Sequence, residues 1–355
     1  MSLVRRRVIP AILGVFLWFS LGFEAGAAPI DLTVMTQNLY VGADANAVLA
    51  NPTPETVMAA FQSVVANNFP ARAAAIAAEA AGAGGPLLIG LQEASIISAP
   101  TGTLDYTQIL IGALAAQGLH YAAIVHPGFF LALGGFSLRD QDVVLARTDV
   151  PGFAVTSSEQ HTFANNVVLP SPLGPFSLDN GYVLVNAILN GAPFQFVSTH
   201  LDPIHTPLQP LQAGEILAAL GTTAEPQLVV GDFNARPDEV TYAEMLAAGF
   251  TDVALFAGAA GLTCCQAPDL DNPVSQLTNR FDYIFERGFS SIDGALLVGN
   301  MPFENVRPLW TSDHAGLIGT VDVLSLVGVA EPSAAALFAS ALLLFLFGAL
   351  RLRRH

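Results

Sequence analysis

Lysine is absent from the 355 residues, and six of the 13 arginines sit in two terminal stretches, residues 1–27 and 331–355. Residues 28–330 keep seven Arg against 27 acidic residues, so the formal charge of −16 for the whole chain becomes −20 for this part. A surface so short of cations attracts a polyphosphate backbone weakly. That argues against tight, processive binding of nucleic acid and leaves its hydrolysis only to a site that brings its own cations. Cysteine is nearly absent as well: Cys264 and Cys265 are the only two, and they are adjacent. This excludes a disulfide framework and a Cys-based zinc site. In an oxidising compartment the pair either closes a vicinal disulfide or stays as two thiols on opposite sides of a strand or turn. No internal repeat and no long linker interrupts the chain, which favours one domain over the two that its length would allow.

Long apolar runs are confined to the ends. Residues 1–27 carry Arg5, Arg6 and Arg7, an apolar stretch from Val8 to Phe23, and then Ala25-Gly26-Ala27. That is the layout of a secretory signal peptide, with cleavage expected after Ala27 or Ala28. An N-terminal membrane anchor is the alternative, against which the run falls short of the ~20 residues a span needs. Residues 329–355 repeat the grammar in reverse, with Glu331-Pro332-Ser333, an apolar segment over 334–350, and Arg351, Arg353 and Arg354. This tail resembles a PEP-CTERM sorting signal, although Ala330 stands where that signal usually has its first Pro. The resemblance implies a sorting protease of the exosortase type as a partner. A plain transmembrane helix over 334–350, with the arginines on the cytoplasmic side, is the other reading. Either way the chain is expected to be exported, to the cell envelope or beyond, with residues 28–325 as its folded domain and as a monomer.

Within that domain, runs rich in β-branched and aromatic residues read as strands at Leu32–Asn38, Leu87–Glu93, Tyr121–His126, Asp142–Arg147, Tyr182–Leu189, Phe194–His200, Gln227–Gly231, Phe281–Phe285 and Gly316–Val323. Helical patterns lie between them, over Pro54–Gly82, Leu104–Gln117, Leu208–Leu220 and Asp238–Ala248. Interleaved strands and helices make an α/β or α+β domain. Ser157–Asn180 reads as an exposed hairpin or lid, and Ala257–Asn279 as a long loop; both are candidates for substrate selectivity.

Polar residues close several of these apolar runs. Asn38 ends the first with an uncharged amide, and Glu93 ends the second with a carboxylate that has no basic neighbour in sequence. His200 ends a buried run, where a lone histidine is more often structural. Gly231-Asp232-Phe233-Asn234 differs in kind: a Gly that permits a sharp turn precedes an Asp and an Asn two apart, which an extended segment places on one side. Such a pair is costly to leave in a sheet without a ligand. Asp282 lies within a later strand, and Ser312-Asp313-His314 adds an acid and an imidazole. A histidine needs a partner on one nitrogen before the other can act as base, so Asp282 is a plausible orienter of His314, with Asp313 free to face a cation. Arg139 and Arg147 flank Asp140-Gln141-Asp142 and are weaker candidates for a phosphate contact.

The ordered set Asn38-Leu39, Gln92-Glu93, Thr199-His200-Leu201, Gly231-Asp232-Phe233-Asn234, Phe281-Asp282-Tyr283-Ile284-Phe285 and Ser312-Asp313-His314 resembles the endonuclease/exonuclease/phosphatase superfamily, over Asp31 to Val323. Phe281, where an aliphatic is commoner, and Asp202 after His200-Leu201 are the departures. The resemblance implies a four-layered α/β sandwich, two mixed β-sheets face to face with helices outside. It implies a divalent cation, Mg²⁺ with Mn²⁺ or Ca²⁺ as substitutes, held mainly by Glu93 with Asn38 and Asp313 near it. It also implies that His314 paired with Asp282 activates water, that Asp232 and Asn234 position that water and the phosphoryl oxygens, and that His200 binds or protonates the phosphate. The substrate so implied is a phosphate ester, whether nucleic acid, phospholipid or small molecule. A lipid-cleaving member would show an exposed aromatic hairpin, for which Phe129, Phe130 and Phe136 are candidates equally well explained as core. A non-catalytic envelope or matrix protein that keeps the fold as a scaffold is the reading from another class; carboxylates crowded without a purpose argue against it.

Overall fold

The computed structural model describes residues 29–172, 174–304 and 308–324. The signal peptide expected at 1–27 and the sorting tail or span expected at 329–355 fall outside these residues. Among the described residues, no helix is long and apolar enough to cross a membrane.

The first half of the chain runs β1 (Pro29–Asn38), α1 (Ala45–Ala50), α2 (Pro54–Ala66), α3 (Phe69–Gly82), β2 (Leu88–Gln92), β3 (Ile96–Ala99), β4 (Gly102–Asp105), α4 (Tyr106–Ala116), β5 (Tyr121–Leu133) and β6 (Phe136–Arg147). Then come β7 (Phe153–Thr162), β8 (Val168–Leu169), β9 (Phe176–Ser177), β10 (Gly181–Leu189), β11 (Ala192–His200), α5 (Gln209–Leu220) and β12 (Gln227–Asp232). The chain closes with α6 (Val240–Ala247), β13 (Thr251–Asp252), α7 (Val253–Phe256), β14 (Asp282–Arg287), β15 (Ser291–Val298) and β16 (Gly316–Leu324). One sheet has the order β15-β16-β1-β2-β6-β3-β4, with β5 also on β6, and a second has the order β13-β14-β12-β11-β10-β7. Each is mixed: β1 and β2 are parallel in the first, β11 and β12 in the second, and their other neighbours are antiparallel.

Alternation along the strands builds the layers. Leu32 and Val34 of β1, Leu88 of β2, Leu228 and Val230 of β12 and Ile284 of β14 share one core between the sheets. The residues next to them, Met35, Ile89 and Leu91, join Ile76 and Leu110 of α3 and α4 in a second core. Val229, Tyr283 and Phe285 join Ile216 of α5 and Met245 of α6 in a third. Strands covered on both faces read as continuous apolar runs, which is why they stand out in the sequence. The sheets approach closely where Gly90 faces β11 and β12, since a Cβ there would lie 2.6 Å from Ser198 Oγ and 2.7 Å from Val230 Cγ2. The four-layered arrangement expected from the sequence is present.

Local expectations needed correction. The helical pattern over Pro54–Gly82 is two helices. Thr53 caps the first through a reciprocal bond with Thr56, and Asn68 adopts a left-handed φ of 46° before Pro70, which has no N–H to continue a helix. Within Ser157–Asn180, Ser157–Thr162 belongs to β7 at the sheet edge, and only the β8–β9 hairpin fits the expected lid. Ala257–Asn279 has no helix or strand beyond a bridge at Cys264.

Candidate functional site

Register brings the polar strand ends together. Where the parallel strands β11 and β12 stop, His200 lies opposite Asp232, and Asp232 lies opposite Asp282 on β14. In the other sheet Asn38 pairs with Gln92, and Glu93 follows just past the strand end. Asn38 joins the two rows: its Nδ2 donates to Glu93 Oε1 and to Asp232 Oδ2, each at 3.1 Å, while its Oδ1 accepts the Tyr40 N–H at 2.9 Å. Glu93 Oε2 accepts the Val41 N–H at 2.8 Å. Glu93 and Asn234 both have left-handed backbones, φ 52° and 48°, conformations that persist only where surrounding contacts hold them.

That geometry corrects the expected role of the Gly-Asp-Phe-Asn segment. Gly231 makes no turn but lies within β12 at φ 146°, where a Cβ would sit 2.0 Å from Thr199 O. Asn234 is not in extended chain beside Asp232. Its backbone N–H donates to Asp232 Oδ1 at 2.8 Å and its Nδ2 to Leu201 O at 3.1 Å, so it fixes the carboxylate from behind.

His314 arrives on the loop before β16. Its Nδ1 is 2.8 Å from Asp282 Oδ2 and 3.7 Å from Asp232 Oδ2, with all three residues buried. The Thr263 hydroxyl accepts both the Phe281 and Asp282 N–H groups, and Ser312 Oγ donates to Asn38 O at 2.7 Å, so the loops are laced to the rim. Cys264 and Cys265 are paired as a disulfide, and Cys265 Sγ lies 3.8 Å from His314 Nε2. His200 Nε2 lies 3.6 Å from Asp232 Oδ2.

Charge is unbalanced here. Burial would lower the pKa of His314, but Asp282, Asp232 and Asp313 raise it well above the ordinary imidazole value. His200 is likewise raised against burial, by Asp232, Asp142, Glu93 and Asp140. Burial pushes Asp313 up to about 7, with Glu93 and Asp232 adding to it against His314 and Arg72. Burial, Glu93 and Asp142 push Asp140 up to about 8. His200, His314 and Asp140 line a cleft with a volume of about 270 Å³; its walls also include Asp44, Glu93, Asp142, Asp179 and Asp232, and no Arg among the described residues. A hard-oxygen donor set with no side-chain cation but histidine fits a divalent cation. Among the described residues Asp282 Oδ1 is buried with no donor, while the Nδ1 bond reserves the other oxygen for His314.

The structure therefore brings Asn38, Glu93, His200, Asp232, Asn234, Asp282 and His314 to one place. Asp313 is next in line, its Oδ1 3.3 Å from Ser312 Oγ, whose proton goes to the nearer Asn38 O. Arg139 and Arg147 do not line the cleft: the Arg139 guanidinium stacks 4.8 Å from the Phe130 ring, and Arg147 pairs with Asp149 at 2.7 Å. Phe129 packs on Phe176 and Phe136 on Phe61, while Phe130 is exposed. Three contributors escaped the sequence reading. Asp140 and Asp142 face one way from β6, an alternation that could have been read. Arg72, in an Ala-rich segment, carried no signal; it lies in the first turn of α3, is fully buried, and its guanidinium donates to the carbonyls of Leu39, Tyr40, Asn67 and Thr311, of which Leu39 follows Asn38 and Thr311 precedes Ser312.

Comparison with known proteins agrees with this layout. The profile of the Endonuclease/Exonuclease/phosphatase family matches residues 35–314, a span that includes every rim residue from Asn38 to His314. No curated protein matches the chain. Among solved structures, an endonuclease/exonuclease/phosphatase family protein from Bacteroides thetaiotaomicron superposes with a TM-score of 0.58 at 18% identity, over 83% of this chain and 99% of that one. One from Bacteroides vulgatus gives 0.55 at 16%, over 83% and 99%. A humanized D. rerio TDP2 carrying 14 mutations gives 0.54 at 18%, over 82% and 98%. At these identities the likeness concerns the fold.

Proposed function

The chain belongs to the endonuclease/exonuclease/phosphatase family, and on that footing we propose that it is a divalent-metal-dependent phosphoesterase that hydrolyses a phosphodiester or phosphomonoester bond by in-line attack of water. The observation that carries the reading is the 2.8 Å contact between His314 Nδ1 and Asp282 Oδ2 at a rim shared with Glu93, Asp232 and His200. With Nδ1–H donating to Asp282, Nε2 is the free lone pair and takes the proton from the attacking water. Asp232, braced by Asn234 and Asn38, orients that water. His200, raised toward its cationic form, meets the phosphoryl oxygens and offsets the charge that grows there. Glu93, with Asp313 and Asn38 nearby, would hold Mg²⁺, which supplies Lewis-acid stabilisation of the phosphoryl oxygens.

The acidic cleft and the lack of lysine favour a small ester over a polynucleotide, whose phosphates would be repelled along the walls. Export through the segment at 1–27 and retention or sorting through 329–355 complete the proposal, since both terminal patterns are those of transported proteins. Hydrolysis of bis-p-nitrophenyl phosphate that needs Mg²⁺ or Mn²⁺ and stops with EDTA is the expected result. Glu93→Gln, which keeps volume and removes charge, should weaken Mg²⁺ binding by about tenfold or more in calorimetry and abolish turnover with the circular dichroism spectrum unchanged. Full turnover in EDTA would defeat the proposal, and full turnover in the variant would defeat the assignment of the metal to Glu93.

A further inference from the structure

A second cavity, of about 80 Å³, lies beside the catalytic cleft, between α2 and the β5–β6 hairpin. Ser137 is the only polar side chain among its described lining residues. The two spaces share three walls, Val41, Ala43 and Leu138. Val41 is the residue whose N–H holds Glu93 Oε2 at 2.8 Å, so the apolar space begins one residue from the proposed metal ligand. Its floor is core, with Val57, Val64 and Ile97 buried, whereas Phe61, Leu131 and Phe136 are only half-buried. Apolar side chains left open to water at the edge of a cleft represent burial free energy that a ligand can still recover.

We infer that this cavity is a subsite for the organic group of the substrate, and that the enzyme takes a small phosphate ester bearing an alkyl chain of a few carbons or an aryl ring. The inference rests on the phosphoesterase reading above and names the class of ester within it. Three features select that occupant. The cavity shares Val41, Ala43 and Leu138 with the cleft that His314 and His200 line, so an ester whose phosphorus sits by those histidines has its substituent beside the apolar space. The described walls offer no cation and one hydroxyl, which disfavours a second phosphate or a sugar there. The volume is too small for a long acyl chain, which separates a short soluble ester from a membrane lipid.

The test is a graded series of alkylphosphonates, from methyl to octyl, titrated into the Mg²⁺-loaded protein by calorimetry. Affinity is expected to rise by up to about fourfold per methylene over the first few carbons and then to level off. Ala60→Trp, which places an indole into the cavity from a half-buried position on α2, is expected to flatten the series while leaving methylphosphonate binding and hydrolysis of a methyl ester unchanged. Phe61→Ala, which enlarges the cavity, is expected to move the plateau to longer chains. A flat wild-type series, or an unaltered slope in both variants, overturns the inference. A slope that continues unbroken to octyl overturns the choice of a short chain. Because binding is read without turnover, a graded series in a protein that does not hydrolyse any ester keeps the subsite and defeats the phosphoesterase reading.

Discussion

Replacing Arg72 with Met keeps an unbranched stem and most of the volume of the side chain and removes the guanidinium. Four carbonyls then lose a donor: Leu39 O at 2.6 Å, Asn67 O and Thr311 O each at 3.1 Å, and Tyr40 O at 3.2 Å. A buried acceptor left unpaired costs about 1–3 kcal/mol, but withdrawing a cation from the interior returns part of its desolvation, the effect that already lowers the pKa of Arg72. The net loss expected is about 3–5 kcal/mol, comparable to breaking a buried charge pair. At about 2–4 °C per kcal/mol for a large domain, the midpoint should fall by roughly 10 °C. Stacking against Phe69, with the guanidinium 4.9 Å from the ring, is partly kept by the Met, so the hydrogen bonds dominate the loss. Lys should not rescue, because one ammonium cannot reproduce the planar fork that reaches four acceptors. Two of those acceptors flank the site, Leu39 after Asn38 and Thr311 before Ser312. Activity should therefore fall on the order of a hundredfold even where the variant is folded, the cost of ångström-scale misplacement. Urea denaturation in EDTA gives the stability without metal linkage, and initial rates at saturating Mg²⁺ give the activity. A loss below about 1 kcal/mol, with wild-type rates, would refute the argument that this arginine ties the rim together.

Three further outcomes follow from the same geometry. Asp282→Asn should lower kcat by about 10²–10⁴-fold and move the ascending limb of the pH–rate profile to lower pH, since a carboxylate that raises His314 is gone; a limb that stays in place would break the pairing. In EDTA, stability should fall as pH rises from about 4 to about 8. Asp140 and Asp313 keep their protons in the folded state up to about 8 and about 7, whereas the unfolded chain releases them near 3.8, so the folded form binds more protons across that window; a midpoint that climbs with pH would contradict this. Alkylation with iodoacetamide should block turnover only after reduction, because the Cys265 sulfur, 3.8 Å from His314 Nε2, then carries a bulky group into the path of the water; equal activity of the alkylated and untreated protein would place the sulfur elsewhere.

How much was legible beforehand depended on the kind of constraint. Strands such as β2 and β12 announce themselves because both faces are buried, and their polar last residues stand out against an apolar run. The pairing of Asp282 with His314 was also readable, since a base needs an orienter and Asp282 is an acid set inside an otherwise apolar strand run. The break at Asn67-Asn68 was missed because an Ala-rich helical pattern continues across it, and only the left-handed Asn68 and the following Pro70 interrupt the backbone. Asn234 was assigned a shared face with Asp232 from extended-chain geometry, which its φ of 48° does not obey.

The sequence by itself determined the types of strand and helix, the alternation that makes three cores, the shortage of cations and the set of hard-oxygen and imidazole groups, because each of these is local in the chain or a property of composition. Only the tertiary structure decided which of those groups meet. The contact of Asn38 with both Glu93 and Asp232 spans two sheets, Arg72 reaches carbonyls 239 residues away at Thr311, and the cavity beside Val41 exists only where a helix and a distant hairpin close on each other. Such contacts depend on register and on the distance between packed layers, quantities set by the summed packing of all the strands and recorded in no single segment.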